Sequence, residues 1–195
     1  MEILEIPQGE PEWFDARRGI PTASCAGKII TPKTGKLSAS AETYVAELIA
    51  ETLESGDETQ RSYWMERGIL YEQEARDWYE FATGNEVRQV GIVLNNGAGW
   101  SPDGLVDPDG GIEIKCPKLS THIKYLLAGE LPDEYRPQIH AGMWIGERMW
   151  MDFVSYHPSV NSLLIRVLRD DYTEKVGKAL AEFCEMLEIA KDKML

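Results

Sequence analysis

Apolar positions along this chain follow two periodicities. Intervals of three and four residues predict helices over 40–54, 62–82, 120–127, 134–146 and 172–194. The second of these carries Ile69, Leu70, Ala75, Trp78, Tyr79 and Ala82 as a core-facing stripe, and the last carries Val176, Leu180, Phe183, Leu187 and Ala190. Short runs rich in Val, Ile and Leu predict strands over 87–95, 104–106, 112–114, 149–156 and 163–168. Residues 1–15 read as an extended arm ending in a turn at 11–14. Thr22 or Ser24 stands where it would cap a short helix over 25–30. Ser55-Gly56-Asp57, Thr83-Gly84-Asn85 and Asn96-Gly97 punctuate these elements. The resulting order predicts an α/β chain: a mixed central β-sheet flanked by helices.

Composition adds bounds. At 195 residues and 43% hydrophobic, the chain suits one domain, 1–195, with a substantial core. The amino terminus lacks the basic-then-apolar layout of a signal peptide, and no apolar run reaches the length of a membrane span, so a cytoplasmic protein is expected. Cys25, Cys116 and Cys184 are too dispersed for a zinc or redox pair. The net charge of −13 opposes general affinity for polyanions. Yet no acid occurs between Asp15 and Glu42, where Arg17, Arg18, Lys28, Lys33 and Lys36 collect. Such a segment suits local phosphate capture; a chance fluctuation in a loop-rich stretch explains it equally well.

Candidate chemistry centres on 101–117. Asp107-Pro108-Asp109-Gly110-Gly111 separates two apolar runs, which predicts a hairpin. Alternation along its second strand puts Glu113 and Lys115 on one face and Ile112 and Ile114 on the other, with Asp103 roughly opposite. Two carboxylates and an ammonium on one face would hold a hard cation and position water. Singly, each has a plainer explanation, as turn former or solvated strand face. Upstream, Arg17 followed by the Ser24 hydroxyl near a helix start is a possible anion site, although ordinary capping also accounts for the serine. Glu72 is either a carboxylate aimed at the hairpin or half of a helical pair with Arg76.

Taken together, Pro102-Asp103 and Glu113-Ile114-Lys115 match the signature of the PD-(D/E)xK nuclease superfamily. The chain further resembles the phage-type alkaline exonucleases, the YqaJ-like viral recombinase family to which lambda-exonuclease-like enzymes belong. Four blocks carry the likeness: W-x-x-x-R-x-G-x-x-T-A-S at 13–24, G-x-x-Y-E at 68–72, S-P-D-G-L at 101–105 and I-E-I-K-C-P at 112–117. A weaker block runs from Tyr135 through Gln138 to Met143-Trp144. The resemblance implies a restriction-endonuclease-like core and a Mg²⁺-dependent enzyme, with two ions per site and Mn²⁺ able to substitute. It would degrade one strand of linear duplex DNA from a 5′-phosphate, leaving a 3′ strand for a single-strand annealing protein. A homotrimeric ring around the DNA, in a bacterial host's cytoplasm, is also implied. By the same resemblance Asp103, Glu113, the Ile114 carbonyl and Glu72 would hold the metals, Lys115 would position or deprotonate water, and Gln138 would orient that water or lysine. Arg17 and Ser24 would grip the 5′-phosphate, Lys33 would contact DNA, and Met65 falls near the position of an apolar wedge. His140 departs from the family's fifth block and reads as a packed helix residue.

Two other readings compete. A PD-(D/E)xK endonuclease or junction resolvase would use the same core, but no spare recognition element is evident. A non-catalytic DNA-end-binding protein would have lost a motif residue, and all are present. Four clustered cysteines, as an iron–sulfur nuclease needs, are absent.

Overall fold

Two sheets divide the strands. In the computed structural model, which describes residues 1–53, 63–106 and 108–194 (63–69 as backbone only), a four-stranded sheet has the order β4-β5-β6-β7 and a three-stranded sheet the order β1-β2-β3. The larger sheet consists of β4 (Gly104–Val106), β5 (Gly110–Lys115), β6 (Trp150–Ser155) and β7 (Leu163–Leu168). Its β5–β6 pair is parallel and the outer two pairs are antiparallel, so it is mixed, as expected. The crossover between the parallel strands carries α5 (Leu119–Ala128) and α6 (Arg136–Ile145). The smaller sheet is antiparallel and joins β1 (Glu2–Leu4), β2 (Ile92–Asn95) and β3 (Ala98–Trp100). Asn96 and Gly97 both take positive φ, 51° and 78°, which the tight β2–β3 turn requires.

The pleat of the larger sheet separates two cores. Ile112, Ile114, Val106 and Val154 pack under α4 (Tyr63–Thr83) with Ala75 and Tyr79. On the other face, Met151, Phe153 and Leu105 join α3 (Ala41–Leu53), α6 and α7 (Asp171–Met194). Trp100 belongs to this second core. It is 1% exposed, and Gly111 and Gly142 approach so closely that a Cβ on either would lie 2.9 Å from its indole. Gly146 comes closer still. One tryptophan on β3 thus lies against both β5 and α6.

Several expectations need correction. The amino-terminal arm is not extended to residue 15: Pro11 starts a helix, α1 (Pro11–Arg17), where a missing N–H costs nothing. Neither Thr22 nor Ser24 caps by a side-chain bond; the segment is a 3₁₀ turn at Ala23–Cys25 followed by α2 (Ala26–Ile29). The strand expected over 87–95 shortens to β2, leaving only an isolated bridge between Arg88 and Leu105. On α4 Ala75 and Tyr79 are buried and Trp78 packs on them, but Leu70 is 65% exposed, so the stripe is narrower than its hydropathy suggests. Ile69, Asp107 and the stop at Ser55-Gly56-Asp57 lie outside the described side chains.

His140 is a packed helix residue. It is 3% exposed, with Nδ1 2.7 Å from Thr173 Oγ1, and its ring meets Tyr172 edge-on. Burial pulls its pKa down to about 4, outweighing Asp170, which raises it, while Arg136 lowers it further. The unfolded chain therefore binds the proton first. His140 contributes its full stability above pH 6.5, and up to about 3 kcal/mol is lost as pH falls toward 4. Urea titrations of His140→Asn between pH 4 and 7 should show a flatter pH dependence than wild type; an unchanged slope would remove His140 as the cause.

Candidate active site

The hairpin register brings the three signature side chains together. Gly104 pairs with Ile112, so Asp103, one residue earlier, falls beside Glu113. Its Oδ2 accepts the Ile114 N–H at 2.5 Å, which ties the start of β4 to β5 beyond the paired residues. Glu113 is 3% exposed, and its Oε1 accepts from Lys115 Nζ at 2.7 Å and from Gln138 Nε2 at 2.5 Å. Gln138 comes from α6, on the crossover. Ile112 and Ile114 anchor the opposite face under α4, as the alternation predicts.

Glu72 reaches the same place from α4. It pairs with Arg76 Nη2 at 2.7 Å, and Arg76 Nε donates to the Asp103 carbonyl at 3.1 Å. Both readings of Glu72 are therefore met: it forms the helical pair, and it lies near enough to Asp103 for the two charges to interact. Burial, then the negative charges of Glu113 and Glu72, drive the Asp103 carboxyl well above its ordinary range, against Lys115 and the Ile114 N–H. Burial opposes the Lys115 charge, but Glu113 and Asp103 outweigh it and raise the ammonium above its ordinary value. Lys115 is thus held as a cation among three acids. The net excess of negative charge suits a hard divalent cation, for which carboxylates and a backbone carbonyl are the proper donors. Among the described residues no group of three or more His, Cys, Asp or Glu is gathered closely enough to hold a metal ion. Each carboxylate accepts instead from a protein donor: Glu72 from Arg76, Asp103 from the Ile114 amide, Glu113 from Lys115 and Gln138.

A second cluster adjoins the first. Arg17 Nη1 donates to Ser101 Oγ at 2.8 Å and Nη2 to Ser24 Oγ at 3.4 Å. The guanidinium lies 4.3 Å from the Trp13 ring centroid, and Trp13 Nε1 also donates to Ser101 Oγ, at 3.0 Å. Burial lowers the Arg17 pKa, and Arg17 has no ion pair among the described residues. A desolvated cation without a carboxylate, beside hydroxyls, is built to receive an anion. The rest of the basic segment differs: Lys28 is engaged by Glu47 and Arg18 by Asp15. Lys33 is exposed on the loop at 31–36. Met65 lies where the backbone alone is described, so its side chain is not placed.

Sequence reasoning missed three contributors. Ser101 stands inside the quoted S-P-D-G-L block but was not singled out, and it is the atom joining the Arg17 cluster to Asp103. Arg76 was read only as a partner for Glu72, not as a donor to the Asp103 backbone. Tyr135 opens the fifth block; its ring lies 5.3 Å from Lys115 Nζ and stacks on Phe153.

Comparison with known proteins agrees with this geometry. Residues 12–149 match the YqaJ-like viral recombinase domain. The crystal structure of LHK-Exo in complex with dAMP superposes with a TM-score of 0.84 at 35% identity, covering 95% of this chain and 96% of that one. The alkaline exonuclease LHK-Exo from Laribacter hongkongensis gives 0.78 at 37% identity, with 95% and 98% covered. A phage related exonuclease from Haemophilus somnus 129PT gives 0.63 at 18% identity over 88% of this chain and 96% of that one, a likeness of fold alone. No curated protein matches the chain. The matched residues include every block that surrounds Asp103, Glu113 and Lys115, and the chain belongs to the YqaJ-like viral recombinase family of phage-type alkaline exonucleases.

Proposed function

We propose that this deoxyribonuclease is a Mg²⁺-dependent 5′-to-3′ exonuclease, acting on one strand of linear duplex DNA with the whole 195-residue chain as its working unit. What carries the reading is the Arg17 cluster: a buried, unpaired guanidinium bonded to Ser101, two residues from Asp103. An anion site so near the carboxylates suits a terminal 5′-phosphate, whereas an internal cut would need none. Asp103, Glu113, Glu72 and the Ile114 carbonyl would hold two Mg²⁺ ions, with Mn²⁺ able to replace them. Bound there, the ions would neutralise the scissile phosphate and lower the pKa of water. Lys115 orients the attacking water and helps take its proton, Gln138 holds Glu113 and Lys115 in register, and Arg76 keeps Glu72 and the Asp103 backbone together. Arg17, Ser24 and Ser101 grip the terminal phosphate, and Lys33 meets the DNA backbone. The surviving 3′ strand would pass to a single-strand annealing protein. Family membership favours a homotrimeric ring, which would collect the few cations of a −13 chain around the duplex.

The test is digestion of linear duplex with and without a 5′-phosphate, beside closed circular duplex. Phosphorylated ends should be digested fastest, and closed circles not at all. Arg17→Ala should lower kcat/KM on phosphorylated ends about 10–100-fold, the worth of a charge-assisted contact of ~1.5–3 kcal/mol, and erase the preference. Cutting of closed circles would favour the endonuclease reading, and equal rates on both kinds of end would reject the phosphate site.

A further inference from the structure

A cavity of about 470 Å³ opens beside Asp103, walled by the amino-terminal arm, α4 and the segment leading into β2. Its lining is mixed in an informative way. Ile6, Pro7 and Pro102 present apolar surface, while Gln8, Gln73 and Gln89 present amides. Glu5, Glu72 and Asp103 contribute negative charge. Arg76 also lines it, but its guanidinium is already engaged by Glu72, Gln73 and the Asp103 carbonyl. A phosphate would meet repulsion there and no available cation. A flat, neutral group with polar edges fits: apolar walls cover its faces and amides meet its edges.

Two of the amides are placed for that use. Gln8 Nε2 donates to the Val90 and Pro102 carbonyls at 2.9 and 2.8 Å, which pins the arm to the Asp103 segment and leaves its own carbonyl oxygen as an acceptor. Gln89 is exposed, and its side chain makes no hydrogen bond among the described residues. An amide both donates and accepts, so it can meet the differing edges of all four bases. Pro102 lies between Ser101, which bonds Arg17, and Asp103, which borders the cavity. Phosphate-attracting and phosphate-repelling surfaces therefore adjoin across a single residue.

We propose that this cavity receives the nucleobase of the 5′-terminal nucleotide while its phosphate pairs with Arg17, an assignment that rests on the 5′-end exonuclease reading above. The division of charge orients the nucleotide: phosphate toward the guanidinium, base toward the acidic, amide-edged cavity. Because the amides adapt to any base, the subsite adds affinity without strong sequence preference.

Calorimetric titration in Ca²⁺ buffer, with the four deoxynucleoside 5′-monophosphates and with 2-deoxyribose 5-phosphate, tests it. Wild type should bind each mononucleotide at least tenfold more tightly than the sugar phosphate. Gln89→Trp, which fills the cavity, should remove that margin, with a melting curve confirming that the variant is folded. Should it not fold, Gln89→Ala should still reduce the margin severalfold. Equal binding of sugar phosphate and mononucleotides by wild type, a margin untouched in a folded Gln89 variant, or no binding of any probe would overturn the subsite. Failure of the exonuclease reading shows separately, as loss of preference for phosphorylated ends in the digestion assay.

Discussion

Replacing Lys115 with alanine is expected to reduce Mg²⁺-dependent nucleotide release by about 10²–10⁴-fold, the range for a positioned acid–base group. DNA binding should persist. Lys115 Nζ lies 2.7 Å from Glu113 Oε1 and 5.3 Å from the Tyr135 ring centroid, so it is a cation locked by its neighbours rather than one free to pair with a DNA backbone. The raised pKa fits that role: the carboxylates around it keep it protonated. Single-turnover digestion, run beside an anisotropy titration with Ca²⁺ in place of Mg²⁺, separates the two effects. Cleavage at near wild-type rate would show that Lys115 takes no part in the chemistry. A parallel loss of binding would make it a substrate contact. Lys115→Arg should not rescue, because a planar guanidinium cannot keep a point charge beside Glu113 and Gln138.

Trp100→Ala should give the largest loss of stability, about 3–5 kcal/mol, as expected for deleting a fully buried aromatic ring. The ring fills space left by Gly111, Gly142 and Gly146, and glycines have no side chains with which to close the gap. Trp100→Phe should cost less, because it keeps most of the ring and deletes an indole N–H that has no hydrogen-bond partner in the interior. Urea unfolding curves measure both. A Trp100→Ala loss below about 1 kcal/mol would mean that β5 and α6 collapse around the cavity, contrary to close packing against three glycines. The substitution should also disturb activity, since Ser101, Pro102 and Asp103 follow directly in the chain.

What the sequence made legible was whatever is local. The 101–117 hairpin could be read because turn chemistry and strand alternation act within a few residues, and both strands and the sidedness of Glu113, Lys115, Ile112 and Ile114 came out as expected. The long helices and β7 were readable from periodicity. Three-residue strands such as β1 and β3 were not, because their pairing depends on partners far along the chain. Leu70, at 65% exposed, shows the opposite failure, a hydropathic position without a surface to cover it. The site divides likewise. Resemblance supplied Arg17, Ser24, Glu72 and Gln138 as candidates, and the structure brings Arg17 to Ser24 and Gln138 to Glu113. Nothing within a short window could disclose that Arg17 bonds Ser101 or that Arg76 holds the Asp103 carbonyl, contacts spanning 84 and 27 residues.

Ser101 and Asp103 are separated by one proline, buried and with its carbonyl held by Gln8. The proline ring fixes one backbone torsion, and three consecutive residues span no more than about 7 Å between their outer Cα atoms. The separation between the hydroxyl beside Arg17 and the carboxylate beside Glu113 is therefore set by covalent geometry rather than by the packing of one element against another. Sheets and helices yield under load; a proline-stiffened tripeptide hardly does. Tension transmitted along a DNA strand drawn into the site would move both ends of this segment together, so the length of each released unit is mechanically insulated from the force on the substrate.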